Sequence, residues 1–395
     1  MKKILLIFVV TLVLIMGACN KTPFDLPQDE DQSLVKTNDG DIIPGQYIIL
    51  LKDGVTSVKS AKLSYPDSKI LMRSEVQKVL AASNIYAKEP LQVYTASTEG
   101  FAIRLSDEEA KALENNPGVL GVWPDRLVVL AKPVKPPTPL PVEVTPPGIT
   151  RVGGGETYTG ENKVWIIDTG IDLTHPDLDV DGASGVTYVP RTKTPNDDNG
   201  HGTHCAGIIA AIDNTIGVVG VAAGATVVPV KVLDKRGSGY ISNVIAGVDF
   251  VTANGSEGDA VNMSLGGGAH EPLDIKVVGM GATGLFVALA AGNESDDANN
   301  HSPARAEGLN IYTVSACDKN DIWAYFSNYG TPVDFCAPGV SIFSLYKNGG
   351  TATMSGTSMA APHVCGILLA TGGHPNKDGY VNGDPDGDAD PIVHN

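Results

Sequence analysis

Positive charge is scarce in this sequence: 28 Lys and Arg residues stand against 45 Asp and Glu residues, which gives a formal net charge of -17. A nucleic-acid-binding surface needs a basic footprint, so this balance argues against one. The sequence has only five cysteines, and none lies in a Cys-x-x-Cys pair, which argues against a zinc site. Of the 395 residues, 18% are charged and 42% are hydrophobic, so a substantial core can form and a disordered chain is excluded.

The apolar run at the N-terminus is too short to span a bilayer comfortably. It covers residues 4–16, follows two lysines, and is typical of a secretory signal. We therefore expect residues 1–18 to be a signal peptide and the protein to be exported. Gly17 and Ala18 stand before Cys19, as in a bacterial lipobox, where the cysteine is lipidated and becomes the new N-terminus. Ordinary signal cleavage nearby is the alternative, so we expect either a lipoprotein of the bacterial cell envelope or a secreted protein.

Four cysteines remain if Cys19 carries a lipid. Two of them, Cys317 and Cys336, could form a disulfide, and buried free thiols are the alternative. The other two are Cys205 and Cys365.

After the signal, the composition of the chain changes at residue 45, from a polar segment to one with predicted strands and helices. Residues 19–44 are polar and are expected to form a tether. Beyond them, "QYIILL" and "EGFAIRL" predict strands, and "SEVQKVLAAS" predicts a helix. Ser106 and Glu109 form a capping box that opens a second helix. The order strand, helix, strand, helix, strand, with room for one more strand, predicts a small α+β domain of the ferredoxin-like type over residues 45–130.

Seven prolines crowd into residues 131–148, "AKPVKPPTPLPVEVTPPG". Such a stretch is not expected to pack as helix or sheet, so we interpret it as a stiff, protease-accessible linker that divides the chain in two. No internal repeat is visible on either side of it.

Beyond the linker, short apolar strands alternate with helical patterns, as in "KVWIID", "TVVPVKVL", "AVNMSLG" and "LFVALAAGN". Strands that are apolar throughout, with helices between them, predict an α/β domain whose parallel sheet is covered by helices on both faces. We place this domain at residues 149–372. In such sheets, ligands bind at the carboxyl ends of the strands.

Chemically complementary residues stand at those predicted strand and helix ends. Asp168 ends the strand "VWIID", where a buried carboxylate is costly unless it is paired. His201 opens the helical segment "HGTHCAGIIAA", and Ser358 precedes a run of alanines that reads as a helix, where a simple cap is the alternative role. A serine hydroxyl becomes a nucleophile when an imidazole takes its proton and a carboxylate stabilises the imidazolium. Asn293 follows another apolar strand and could donate its amide N–H to an oxyanion.

Five segments resemble motifs of the subtilase family of serine proteases, especially its proteinase K branch. In chain order they read "VWIIDTGIDLTHPDL", "NGHGTHCAGIIA", "VNMSLGGG", "AAGNESDDANNHSPA" and "SGTSMAAPHV". The similarity runs from about residue 148 to residue 369, and its order Asp, His, Asn, Ser differs from that of the α/β-hydrolases. The resemblance implies a subtilisin-like fold in which Asp168, His201 and Ser358 form a catalytic triad and Asn293 is the oxyanion donor.

The resemblance also implies two edge segments that pair with an extended substrate backbone. Such pairing supplies affinity with little sequence preference. Simple turn chemistry is the alternative explanation for their glycines. The two segments are Gly237, Ser238, Gly239 and Ser264, Leu265, Gly266.

Two further residues match positions of the proteinase K branch. Cys205 lies about one helical turn beyond His201 and matches a free thiol, which we interpret as structural and sensitive to thiol reagents. Asp334 matches a calcium ligand whose other ligands are backbone carbonyls, so a structural calcium ion is expected, while the chemistry itself is expected to need no cofactor. Four neighbours of the motifs are interpreted as turn, helix or packing residues: Asp172, His175, His204 and His363.

The N-terminal domain resembles a subtilase propeptide in "PGQYIILLKDG" and "GFAIRLSDEEAKALENNPGVLGVWPD". Such a propeptide assists folding and inhibits the protease by laying its C-terminal strand in the cleft; a permanent binding module is the alternative. We therefore expect residues 45–130 to be the inhibitory propeptide of a zymogen. Cleavage is expected between about Asp125 and Gly148, because such a linker is exposed.

Residues 373–395 depart from the family, whose members usually continue well past the serine helix with further helices or strands. We interpret them as a solvated acidic tail. Their aspartates lack the glutamate that ends an EF-hand loop. These aspartates are Asp384, Asp386, Asp388 and Asp390.

Two other classes of function remain open. The first is a metallohydrolase, whose ligands would be His201, His204, Asp197 and Asp198. It would leave Ser358 and Asn293 without a role, and a chelator and a serine-directed fluorophosphonate would separate it from a serine protease. The second is a surface-anchored binding protein that has lost catalysis, although every triad member is present. For the protease we expect protein or peptide substrates, the propeptide as intramolecular inhibitor, no nucleic acid, no membrane contact beyond the lipid anchor, and a monomer.

Overall fold

The computed structural model describes residues 39–130 and 138–395. The predicted signal peptide, Cys19 and most of the predicted tether lie outside the described residues, and the first strand already begins at Ile42. The elements of the N-terminal part are β1 (Ile42–Leu51), α1 (Val58–Ala61), α2 (Tyr65–Ala82), β2 (Gln92–Tyr94), β3 (Gly100–Arg104), α3 (Asp107–Glu114) and β4 (Val119–Val129).

The N-terminal part is a small antiparallel sheet with strand order β4-β1-β3-β2 and helices on one face. The capping box predicted for α3 is confirmed, because Ser106 Oγ accepts the N–H of Glu109 at 3.3 Å and the Glu109 carboxylate accepts the N–H of Ser106 at 2.7 Å. Alternate strand residues such as Phe101 and Ile103 pack against Met72 of α2. The predicted α+β domain is thus confirmed, with β2 as the additional strand.

The C-terminal part contains the remaining elements, which we list in chain order. They are β5 (Thr138–Pro139), α4 (Pro147–Arg151), β6 (Glu156–Thr157), β7 (Val164–Asp168), β8 (Val186–Thr187), α5 (His201–Ala210), β9 (Ala222–Ala223), β10 (Val227–Lys231), β11 (Ser238–Tyr240), α6 (Ile241–Asn254), β12 (Ala260–Met263), β13 (Gly267–Gly268), α7 (Glu271–Gly281), β14 (Phe286–Ala290), a 3-10 turn (Ala298–Asn300), β15 (His301–Ser302), β16 (Ile311–Cys317), β17 (Val333–Pro338), β18 (Ile342–Tyr346), β19 (Gly350–Met354), α8 (Thr357–Thr371), β20 (Asn376–Tyr380) and β21 (Pro391–His394).

A nine-stranded sheet organises this part, in the order β20-β21-β17-β16-β14-β12-β7-β10-β8. Its pairs from β21 to β8 are parallel, as predicted. Strand β7 shows how both faces are covered: Val164 and Ile166 pack in a cluster with α5 and α8, whereas Trp165 and Ile167 pack in a cluster with α6 and α7. Burying such a side chain contributes roughly 1.5–3 kcal/mol. Because these strands are parallel, their carboxyl ends lie at one edge of the sheet, where loops and helix starts converge.

The small sheet packs on the large part through its second face. Ile48, Leu50 and Tyr94 join the cluster that contains α6, and the Tyr94 hydroxyl donates to the carbonyl of Ser242 at 3.1 Å. Strand β4 continues into the large part and pairs antiparallel with β11. The end of the N-terminal part is thereby fixed beside the loops at the sheet edge.

The prediction that residues 131–148 form no helix or sheet is wrong for the residues described, 138–148. Strand β5 pairs with β19, bridges join Val142 to Ile216 and Val144 to Val218, and α4 begins at Pro147. Proline is tolerated here because an edge strand and the first turn of a helix do not need every N–H. The predicted linker residues 131–137 lie outside the described residues.

Residues 376–389 are mostly exposed, in line with the solvated tail predicted for residues 373–395, but that prediction is wrong for residues 390–394. Strand β21 joins the sheet beside β17, Ile392 and Val393 are fully buried, and Ser315 donates a hydrogen bond to Asp390 at 2.5 Å. Arg151 ties β20 to the large part through the carboxylates of Asp321 and Asp378. The buried apolar residues near the end of the segment and two of its aspartates, Asp378 and Asp390, thus hold it to the large part.

The described cysteines are buried free thiols, so the alternative to a disulfide holds for Cys317 and Cys336. These two lie on the neighbouring strands β16 and β17, in a small cluster with Ile392. Among the described residues, no helix is both long and apolar enough to cross a membrane.

Candidate active site

Asp168 and His201 form a buried pair at the carboxyl end of β7. The Nδ1 atom of His201 lies 2.8 and 2.9 Å from the two carboxylate oxygens of Asp168, and both side chains are almost completely buried. Helix α5 can approach this closely because Gly202 has no side chain: a Cβ there would lie 2.1 Å from the carbonyl oxygen of Gly170. The carboxylate thus fixes the imidazole, with Nδ1 toward Asp168 and Nε2 free for other contacts.

The pKa of His201 is shifted by competing effects. Burial lowers it, but the charge of Asp168 and, after it, the Cys205 thiol raise it, and the pKa lies well above its ordinary value. The imidazolium form is therefore stabilised at this site, which suits a group that must take up a proton during a reaction.

Ser358 is the second residue of α8 and is half-buried. Its hydroxyl donates to the carbonyl oxygen of Ser264 at 3.1 Å, and no hydrogen bond joins it to His201 in the described part of the chain. The thiol of Cys205 lies 3.9 Å from His201 Nδ1 and 3.4 Å from the carbonyl oxygen of Ser358, so Ser358 lies next to the Asp168–His201 pair.

Asn293 follows β14 and is held by the start of α8. Its Oδ1 accepts hydrogen bonds from the N–H of Thr357 at 2.8 Å and from the Thr357 hydroxyl at 3.2 Å. Because the oxygen is occupied on this side, Asn293 presents its Nδ2 donor on the other side of the amide. Asn293 and the N–H groups at the start of α8 offer hydrogen-bond donors in one place.

The segment 237–239 is occupied by the N-terminal part. Val128 and Val129 of β4 lie opposite Gly239 and Ser238, and the N–H of Leu130 donates to the carbonyl of Gly237 at 2.9 Å. An extended strand of the N-terminal part is therefore paired with this edge.

The segment 264–266 faces the site through Ser264, which is completely buried and accepts the hydroxyl of Ser358. Leu265 is buried as well, and a Cβ at Gly266 would lie 2.9 Å from the carbonyl oxygen of Ser302. Strand β4 is not paired with this segment among the described residues; the N–H of Val129 donates instead to the carboxylate of Asp39 at 2.8 Å.

The four histidine and aspartate ligands considered for a metallohydrolase do not converge. Among the His, Cys, Asp and Glu side chains of the described residues, Asp168, His201 and Cys205 form the one group of three that could hold a metal ion. His204 lies near the carbonyl of Ala352 with its pKa lowered by burial to about 3, and Asp198 pairs with Lys231. The described geometry thus gives no support to that predicted ligand set.

Sequence reasoning missed an oxygen-rich group between the start of the large part and the loop 212–218. The carboxylate of Asp177 accepts the amide of Asn214 at 2.6 Å and the N–H of Val218 at 3.0 Å, and Glu143 accepts the N–H of Asn214. Burial, opposed by these hydrogen bonds and reinforced by Glu143, raises the pKa of Asp177 to about 6. No local sequence signal joins these residues, because they come from three distant segments.

Asp334, the predicted calcium ligand, lies on β17. Its carboxylate accepts the N–H of Thr313 at 2.8 Å. Burial, opposed by this bond and reinforced by Glu307, raises its pKa to about 6. Asp334 therefore has a second acid, Glu307, near it.

Comparisons with known proteins agree with this geometry. The model of the subtilase family matches residues 160–376, and the model of the peptidase inhibitor I9 family matches residues 46–131. An extracellular serine proteinase of Thermus sp. (strain Rt41A) is 35% identical over 362 residues, which are 90% of this chain and 86% of that protein. Proteinase R of Parengyodontium album is 33% identical over 335 residues, 83% of this chain and 79% of that protein.

A solved structure extends the similarity to three dimensions. The crystal structure of a cold adapted subtilisin-like serine proteinase aligns with a TM-score of 0.55 and 34% sequence identity. The alignment covers 63% of this chain and 98% of that one. The similarity therefore extends from the sequence to the fold.

Proposed function

The chain belongs to the subtilase family of serine proteases and carries an I9-type propeptide, and from this premise we propose that it is an endopeptidase that works through Asp168, His201 and Ser358. The observation that carries the proposal is the buried Asp168–His201 pair with Ser358 beside it at a helix start.

In the proposed first step, the Ser358 hydroxyl turns from the carbonyl of Ser264 toward His201 Nε2 and attacks the carbonyl carbon of the scissile peptide bond. His201 takes the hydroxyl proton, and Asp168 stabilises the imidazolium. The amine leaves with the proton from His201, which gives an acyl-enzyme on Ser358. Water, deprotonated by His201, then attacks the ester carbonyl carbon, and His201 returns this proton to Ser358 Oγ as the bond between the acyl carbon and Oγ breaks and the carboxylic acid is released.

The negative charge of the tetrahedral intermediate is expected to lie between Asn293 Nδ2 and the N–H of Ser358. These donors are fixed before the reaction, because Thr357 holds the other side of the Asn293 amide and α8 holds the Ser358 backbone. Preorganised donors stabilise a transition state without reorganisation during the reaction.

Substrate is expected to bind as an extended chain between the two edge segments. The pairing of β4 with Ser238–Tyr240 supports this mode for the first segment. For the second segment, Ser264 to Gly266, the support is its position beside Ser358. Because the contacts are with backbone, we propose proteins and peptides of broad sequence as substrates.

The direct test is labelling of the processed protein with a fluorophosphonate, followed by mapping of the modified residue. We expect the label on Ser358 and no loss of labelling after treatment with a chelator at a temperature where the fold is stable. Labelling elsewhere, or hydrolysis that depends on a metal but not on Ser358, would overturn the proposal.

The processed enzyme should lose activity as the pH falls through the pKa of His201, because only the neutral imidazole can accept the serine proton. Asp168 raises this pKa, so the acid limb of kcat/KM should lie above the ordinary histidine value of about 6.5. Asp168→Asn should move the limb to lower pH and reduce the plateau by about 10⁴-fold. The measurement is kcat/KM against pH, with Asp213→Asn at an exposed position as the matched control. An acid limb that stays in place in Asp168→Asn would contradict the assignment.

The propeptide is proposed to keep the zymogen inactive by holding β4 in the cleft. Asp125 supports this role: its carboxylate is completely buried and accepts the N–H of Ser242 at 3.0 Å, at the start of α6, and the amide of Gln46 at 2.5 Å. An anionic group at a helix start is favourable. The chain is expected to be cut after Leu130, whose N–H donates to the carbonyl of Gly237 next to β11, within the range 131–148.

Asp125→Ala should weaken the hold of the cleaved propeptide on the enzyme by roughly 10- to 100-fold, because the Ser242 N–H is left without its charged partner in the complex. The measurement is the recovery of peptidase activity on dilution of the processed, non-covalent complex. Asp107→Ala is the control, since Asp107 is exposed on α3. Equal recovery for both variants would show that Asp125 adds nothing to inhibition.

We also propose a structural calcium ion, which the sequence suggests at Asp334. The group around Asp177 fits calcium better, because the carboxylates of Asp177 and Glu143 both accept hydrogen bonds from Asn214 and so lie together at the loop 212–218, whereas the carboxylate of Asp334 accepts the backbone N–H of Thr313. A bound ion there would hold residue 143 to the loop 212–218 and relieve the repulsion between Asp177 and Glu143.

Removal of calcium with a chelator should lower the Tm of the processed protein. An ion present at about 100 times its Kd stabilises by about 2.7 kcal/mol, which corresponds to roughly 5–10 °C for a domain of this size. Thermal unfolding with and without chelator measures the effect. We expect Asp177→Asn to remove most of this difference and Asp334→Asn to remove little of it. A Tm that does not respond to the chelator would exclude calcium at both places.

For location, we propose export followed by lipidation of Cys19, with membrane contact through the lipid alone and a monomeric catalytic part. Mass spectrometry of the mature N-terminus tests this. A mature chain without a lipid on Cys19 would favour secretion.

A further inference from the structure

Helix α8 contains a proline one turn beyond the proposed nucleophile. In a regular helix the carbonyl of Ser358 would accept the N–H of residue 362, but Pro362 has no N–H. The proline ring also crowds the carbonyl four residues before it. The Ser358 carbonyl is therefore left without its helical partner, although most of the residues around it are buried.

Two side chains from other segments supply the missing hydrogen bond. The hydroxyl of Ser264 donates to the Ser358 carbonyl oxygen at 2.8 Å, and the thiol of Cys205 lies 3.4 Å from the same oxygen. Both side chains are completely buried. A hydroxyl is the stronger donor of the two, so Ser264 contributes most of this contact.

Asn262 orients Ser264. Its Nδ2 donates to the Ser264 hydroxyl at 2.9 Å, so the hydroxyl must direct its own hydrogen elsewhere, toward Ser358. Its Oδ1 is buried and has no hydrogen-bond partner in the described part of the chain. A buried amide oxygen without a hydrogen-bond partner destabilises the fold, so we interpret Asn262 as a residue whose role is to donate its Nδ2 hydrogen to Ser264.

We propose that Ser264 and Asn262 are positioning residues for the nucleophile: they replace the helical hydrogen bond that Pro362 removes and thereby set the orientation of the Ser358 main chain. This inference rests on the proposed function. The Ser358 carbonyl oxygen accepts the hydroxyl of Ser264, which is held in turn by Asn262 of β12. The same oxygen lies 3.4 Å from the thiol of Cys205 on α5. These contacts join the proposed nucleophile to the helix that carries His201 and to a proposed substrate-binding segment. The backbone of Ser264 belongs to the proposed substrate-binding segment, whereas its hydroxyl contacts the Ser358 carbonyl and affects the reaction through the position of Ser358.

The test begins with Ser264→Ala in the full chain, allowed to process itself and normalised by active-site titration. We expect kcat to fall by about tenfold, KM to change by less than about twofold, and the rate of fluorophosphonate labelling of Ser358 to fall in parallel with kcat. Ser264→Cys, which keeps a weaker donor at the same place, should be intermediate. Ser344→Ala is the matched control, because Ser344 is also buried and donates to a helix carbonyl, that of His204. It should lower the Tm comparably and leave kcat within about twofold.

A second variant separates positioning from general stability. Pro362→Ala restores an N–H for the Ser358 carbonyl, so in this background the further change Ser264→Ala should reduce kcat by no more than about threefold. If Ser264→Ala reduces kcat by the same factor with Pro362 and with Pro362→Ala, or if it raises KM at unchanged kcat, the proposal is wrong. Wild-type protein that is not labelled at Ser358 would instead overturn the proposed function itself, so the two failures are distinguishable.

Discussion

Replacement of Ser358 by alanine is expected to abolish peptide hydrolysis and to leave the full chain uncut between its two parts. The variant loses the hydroxyl that is proposed to attack the carbonyl carbon. The expected decrease in kcat is about 10⁶-fold, a magnitude known from another member of the family. The measurement combines peptidase kinetics with gel and mass analysis of the purified chain over time.

Ser355→Ala is the control for this variant. Ser355 lies three residues away and accepts the N–H of Ser341 at 2.8 Å, so its loss changes the same region without touching the proposed nucleophile. This control should process itself and hydrolyse peptides within a few-fold of wild type, a small change beside the expected 10⁶-fold loss. Self-cleavage by pure Ser358→Ala protein would refute the nucleophile.

Loss of the Asn293 donor is expected to reduce kcat by about 10²- to 10³-fold, equivalent to about 3–4 kcal/mol, with little change in KM. The donor meets the oxyanion, which exists in the transition state and not in the bound substrate, so the loss should fall on kcat. We expect this decrease in kcat in two variants. Asn293→Ala removes the whole amide, and Asn293→Asp keeps the oxygen that accepts the N–H of Thr357.

The comparison of these two variants separates chemistry from folding. Asn293→Asp preserves the contact with the start of α8, so its Tm should stay near that of wild type while kcat falls. Asn299→Ala, at an exposed position in the same loop, should leave both quantities unchanged. An Asn293→Asp variant with wild-type kcat would remove Asn293 from the oxyanion site.

The sheet was predictable, and the candidate site residues could be selected, because their signals are local. An apolar strand that ends in Asp168, or a serine followed by a run of alanines, can be recognised within ten residues. The pairing of Asp168 with His201 could be expected from chemistry, since a buried carboxylate needs a partner. The capping box at Ser106 is equally local and is confirmed.

The contacts that sequence reasoning missed all join distant segments. Asp125 meets the start of α6 from another domain, and Glu143 meets Asn214 across the loop 212–218. The linker and tail predictions failed for the same reason: composition indicated solvated segments, but tertiary pairing with β19 and β17 decided their structure. Composition averages over a segment, whereas two apolar residues such as Ile392 and Val393 can anchor it.

The pairing of β4 with β11 has a consequence for folding in the proposed zymogen. An unpaired strand edge accepts almost any extended polypeptide, including an unfinished copy of the same molecule. While β4 covers β11, this edge is closed to other extended chains. The residues that cover the edge precede the catalytic part in the sequence, so they are synthesised before the edge that they cover.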